Sequence, residues 1–146
     1  MSARWLSALV KARQAQEDVA QYELASAQRR AQEAHAARRR ASARVDELAE
    51  ASGADAMLTG PAFAAAAAAL QSAAAASSMA GFAAEQADLG TMHRRDALQR
   101  AAIDRDVAEH MHDNASAAER ALAGHRAQLE LDEAAARLHR DRQVSS

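Results

Sequence analysis

Residues 5–48 read WLSALVKARQAQEDVAQYELASAQRRAQEAHAARRRASARVDEL. Stepping alternately by four and three from Leu6 gives Val10, Arg13, Glu17, Ala20, Leu24, Ala27, Ala31, Ala34, Arg38, Ala41, Val45 and Leu48. Ten of these thirteen positions are apolar, and the register never slips. Such a seven-residue repeat puts one stripe on one side of a helix and fits a coiled-coil seam. Five of the ten apolar positions are Ala, which would match many registers in a chain this rich in alanine. The information therefore lies in Leu6, Val10, Leu24, Val45 and Leu48. Neither Gly nor Pro occurs before Gly53. The stretch predicts one helix over about 2–52, roughly 70 Å long at 1.5 Å per residue. A helix of that length with a single apolar stripe requires a partner.

Outward from this stretch, the break is expected at 53–61. Gly53 is a candidate C-terminal cap. Thr59 or Gly60 can cap the next helix, and Pro61 suits its first turn. Residues 56–84 carry no charge, and are mostly Ala and Ser with Leu58, Phe63, Leu70, Met79 and Phe82 as the large apolar residues after Met57. Their sparseness argues against direct membrane insertion, because Ala is nearly neutral in a bilayer and the Leu and Phe count decides. A helical segment is expected over 62–82, with Ser77-Ser78 and Gly81 as possible breaks, and a C-terminal helix over 83–142. In the latter, Leu98, Ile103, Val107, Met111, Leu122, Leu129 and Leu138 mix seven- and eleven-residue spacings, which predicts a locally relaxed supercoil. Two amphipathic segments joined by a Gly/Pro break fold back most simply as an antiparallel pair. The expected fold is all-α, a single elongated helical domain over 1–146 built on a long antiparallel two-helix coiled coil. The second segment is longer than the first, so either its C-terminal end overhangs or 56–84 forms an extra element near the tip.

Composition agrees. Aromatic residues are 3% of the chain, there is one Pro, and there is no Cys. Val, Ile and Thr are too few for sheets. The formal net charge of -2 offers no general attraction to nucleic acid or anionic lipid. The dense basic cluster, Arg38-Arg39-Arg40 with Arg44, contains no aromatic residue and is followed by Asp46, Glu47 and Glu50. It reads as a solvated or protein-facing patch rather than a nucleic-acid site.

No glycine-rich phosphate loop, nucleophile elbow or thiol is present, so no catalytic residue and no cofactor are assigned. His110 and His112 point some 200° apart on a helix and cannot share a metal. Asp106 and His110 have a ligand-like spacing but lack further ligands in sequence. Glu17 reads as a rim residue paired with Arg13 one turn earlier. Trp5 either completes the last layer of the hairpin or anchors a partner, since Trp is enriched at binding hot spots.

The opening pattern Trp5-Leu6-x-x-Leu9-x-Lys11-x-Arg13-x-x-Gln16-Glu17-x-x-Ala20-x-x-x-Leu24-Ala25-x-Ala27 resembles the N-terminal pattern of the FliJ family of the flagellar type III export apparatus. The stretch Arg126-x-x-Leu129-Glu130-Leu131-Asp132-Glu133-Ala134 is similar to that family's charged C-terminal region. The uncharged middle departs from the family's more charged one. The resemblance implies a cytoplasmic, non-catalytic coiled coil at the inner face of the membrane, like the stalk of rotary ATPases. It implies insertion into the hexameric export ATPase, with coupling to the membrane export gate and to export chaperones. It also implies that the end bearing both termini enters the ring, with Trp5, Leu6 and Leu9 near the contact and Leu129, Leu131 and Leu138 opposite. Two other readings fit the residues: a generic coiled-coil adaptor, and a secreted type VII-like helical hairpin, although the Trp-x-Gly turn expected of the latter is missing.

Overall fold

A computed structural model describes residues 2–54 and 59–145. Two helices account for nearly all of them: α1, Ala3–Ala54, and α2, Gly60–Val144. Ser2 caps α1, its hydroxyl accepting the Trp5 N–H at 3.3 Å. Of the two candidate caps before α2, Thr59 takes the role. Its carbonyl accepts the Phe63 N–H at 2.8 Å and its hydroxyl the Ala62 N–H at 3.4 Å, the pattern of an N-cap residue. Pro61 then sits in the first turn, where its missing N–H costs nothing. Part of the expected break, 55–58, lies outside the described residues. Gly53 belongs to the last turn of α1 and has no positive φ, so it does not form the left-handed cap.

The fold is an all-α hairpin in which α2 runs antiparallel to α1. It divides into two packing units, one of residues 18–100 and the other of 1–17 with 101–146. In the 18–100 unit, Arg94 meets Glu23 at 2.5 Å and His35 meets Asp88 at 2.9 Å, so rising numbers on α1 face falling numbers on α2. In the other unit the Ala3 N–H donates to Glu119 at 3.0 Å, while Arg13 lies 3.7 Å from Asp104.

The stripe expected on α1 is the packed one: twelve of its thirteen positions are buried or half-buried. The exception is Arg38, whose Nε lies 3.8 Å from where a side chain at Gly81 would begin. Here a long cation lies along a residue that has no side chain of its own.

On α2 the packed face differs from the expected one. In the 18–100 unit it comprises Ala66, Leu70, Ala73, Ser77, Ala80, Ala84, Ala87, Thr91 and Leu98. In the other unit it comprises Ala101, Arg105, Ala108, His112 and Ala115. Within each unit these positions follow a seven-residue repeat, so the mixed seven- and eleven-residue seam is not formed. Ile103 and Val107 are more than half exposed, whereas Ala84 and Ala108 are 0% and 2% exposed. The physical reason is distance. Small residues let two backbones approach closely, and dispersion and burial at short range favour the face that permits it. Thr91, also buried, donates its hydroxyl to the Ala87 carbonyl at 3.1 Å, so it places no unsatisfied polar group in the seam.

The Ala-rich stretch expected at 62–82 and the helix expected at 83–142 are one uninterrupted helix. Ser77-Ser78 and Gly81 break nothing, and no described glycine has a positive φ. The unevenness of the hairpin is resolved as a C-terminal overhang: residues 117–145 are all exposed. Gly124 lies in this overhang with nothing near the position of an added Cβ. Gly124→Ala is expected to stabilise the helix by about 0.5–1 kcal/mol, because Ala loses less backbone freedom on folding. Increased helicity and slower amide exchange over 117–135 check this. Unchanged exchange there would show that the overhang is not helical in solution.

Candidate partner-binding surface

The charged centre of the terminal unit (residues 1–17 with 101–146) is built by α1 and α2 together. Arg105 points into the seam, where its guanidinium donates to Glu17. It also holds Glu109 one turn on, with both carboxylate oxygens 3.1 Å away, and Asp106 at 3.2 Å. These bonds, to Glu109 first and then Glu17, push the Arg105 pKa above its ordinary value. A fork of five donors suits this convergence of carboxylates. Glu17 is thus not a rim partner of Arg13. It is mostly covered and faces the opposite helix, while Arg13 reaches Asp104 and Gln16. Both residues stand on the α1 seam, so each meets a charged residue of α2, and Arg13 also bonds Gln16 on its own helix.

Beside this centre lies apolar surface. Leu9, Arg13, Asp104, Val107, Ala108 and Met111 line a shallow groove of about 150 Å³. Asp106, Val107, His110 and Met111 border a broader concavity outside it. Trp5, one turn before Leu9, is 53% exposed. A large aromatic half in water, one turn from a residue that lines an apolar groove, has the makeup of a protein-docking surface. Leu6 is different: at 2% exposure it is core, on the face of α1 that meets α2. By size alone, Val107 and Met111 are expected in the seam. Counting the repeat through the alanines of α2 would have placed them on its flank.

Leu129, Leu131 and Leu138 do not lie opposite Trp5 and Leu9. Ala3 is joined to Glu119, so these leucines sit some ten to twenty residues further along α2, roughly 15–28 Å beyond the start of α1 at 1.5 Å per residue. All three are more than half exposed. Leu129 continues the line of Ala108 and Ala115, whereas Leu131 and Leu138 stand on the other side of the helix.

The remaining candidates stay separate. Arg38, Arg39, Arg40 and Arg44 are exposed on α1. His35 is bound to Asp88, and among the described residues no three His, Asp or Glu side chains are grouped as a metal site. One window of α2 reaches a mean hydropathy of 1.2 over 18 residues, enough by length and composition alone for a membrane span. Its hydropathy comes largely from alanine.

No curated protein and no solved structure matches the chain. The family model described as "Flagellar FliJ protein" matches residues 2–144. The match runs through both helices, including the uncharged middle that the resemblance did not cover. It selects flagellar export over a generic adaptor or a type VII hairpin, and the chain belongs to the FliJ family.

Proposed function

We propose that the chain is a non-catalytic, stalk-like component of the flagellar export apparatus that binds the hexameric export ATPase, promotes its assembly and activity, and couples it to the export gate and to export chaperones. The observation that carries this reading is the half-exposed Trp5 beside the Leu9–Val107–Met111 groove at the end of the hairpin where α1 begins. Family membership supplies the context. A pair of helices held by alanines is narrow, as insertion into a ring requires. The reading places the protein in the cytoplasm, peripheral to the inner face of the membrane, with the Ala-rich part of α2 packed on α1 and not inserted in lipid.

The test is co-purification of the full chain with the export ATPase, together with ATP turnover as a function of added chain. The expected result is a stable complex and faster turnover that saturates with added chain. No complex, or turnover indifferent to the chain, would refute the reading.

A further inference from the structure

The overhang of α2 keeps the repeat of the paired region. Ala101, Arg105, Ala108, His112 and Ala115 are the buried or half-buried positions facing α1. Continuing in the same steps of four and three gives Glu119, Leu122, Arg126, Leu129, Glu133, Ala136 and Arg140. Beyond Glu119 no described residue of α1 covers this stripe, and Leu122 and Leu129 are 57% and 53% exposed. A seam that continues with leucines past the end of its partner helix is an interface with one side missing.

The charges on the stripe say what fits it. In one line of the repeat they read Glu119, Arg126, Glu133, Arg140, alternating in sign at every step. Two copies laid parallel about a two-fold axis, and so in register, would set each of these against its own kind. Two copies laid antiparallel, with the two-fold axis between Leu129 and Glu130, set Arg126 against Glu133 of the partner subunit and Glu119 against Arg140 of the partner subunit. Symmetry makes each pair twice. The same alignment brings the two copies of Leu129 together at the axis and Leu122 near Ala136 of the partner subunit. Among two-fold-symmetric pairings, the sequence is therefore charge-complementary to itself only in the antiparallel one.

We infer that residues 119–140 are a self-association surface, and that two copies of the chain pair antiparallel through their C-terminal overhangs. This goes beyond the ATPase-binding reading and is measured on the chain alone, so either can fail without the other. With four leucines and alanines at its centre the dimer is weak, with a Kd on the order of 100 µM. The charges fix direction and register more than they add affinity.

The experiment is sedimentation equilibrium of the full chain from about 10 µM to 1 mM, with helicity of each variant checked by circular dichroism. A reversible monomer–dimer equilibrium is expected. Arg126→Glu, which sets Glu against Glu133 of the partner subunit twice over, is expected to weaken it about tenfold or more. Adding Glu133→Arg restores opposite charges, and the double variant is expected to return to within about threefold of the starting chain. Restoration is the decisive readout, since it also removes the exposed local pair of Glu133 with Arg137 and would not follow from a general loss of helix. The chain has no native cysteine, so direction is read from single substitutions. Leu129→Cys should form a disulfide dimer under mild oxidation while Leu122→Cys, with its two copies roughly 22 Å apart along the helix, should not. A chain that is monomeric throughout overturns the inference. So does association indifferent to Arg126→Glu, failure of the double variant to recover, or equal cross-linking at 122 and 129.

Discussion

Ala84→Leu should lower the thermal midpoint by roughly 4–10 °C, with Ala108→Leu doing the same, although each adds apolar surface. Ala84 and Ala108 are the least exposed residues of α2. No space remains at either position for three further carbons. A Leu there forces the helices apart or takes a strained rotamer, at about 1–3 kcal/mol, and for a chain of this size each kcal/mol is worth about 2–4 °C. The matched controls are Ile103→Ala and Val107→Ala. Both remove real bulk, yet both side chains are more than half in water. Their effect should stay within about 2 °C, because surface changes fall within ±0.5 kcal/mol and Ala is the better helix former. Melting curves followed at 222 nm separate the two outcomes. If the Ile and Val variants lose more than the Ala variants, the seam is built from large residues and the packing described above is wrong.

Trp5→Ala is expected to weaken binding to the export ATPase about tenfold or more while leaving helical content unchanged. Aromatic anchors of this kind account for most of the energy of many interfaces. Trp5 is exposed enough to be buried again by a partner, whereas Leu6 is already core. Leu9→Ala, in the adjoining groove, should give a smaller loss in the same direction, and the double variant a larger one. Leu6→Ala is the informative contrast. It removes a buried side chain at about 2–5 kcal/mol, so lost binding there comes with lost stability. Affinity unchanged in Trp5→Ala, with helicity retained, would remove this end of the hairpin from the contact.

Much of the fold was legible in the residues. The stripe from Leu6 to Leu48 is the packed face of α1, because five large residues hold one register over six repeats. The start of α2 at Thr59-Gly60-Pro61 was legible because a cap followed by a proline in the first turn has a local cause. Reading α2 by its large residues failed for an equally physical reason. When a seam is made of alanines, the bulky residues are the ones that do not fit into it, and size misidentifies the face. The binding surface was half legible. Trp5 and Leu9 stand where a partner can reach them, but Leu6 is core, and Val107 and Met111 were hidden by the same misreading of α2.

Helicity and the face α1 presents are properties of neighbours within a few residues, and local chemistry along the chain settled them. Which face α2 returns to α1, that Glu17 is held by Arg105 and not by Arg13, and that the last turns of α2 run on past any partner were decided only when the helices met. Those features depend on how closely two backbones can approach and on which distant side chains the antiparallel alignment sets face to face, and neither quantity is carried by any single stretch of sequence.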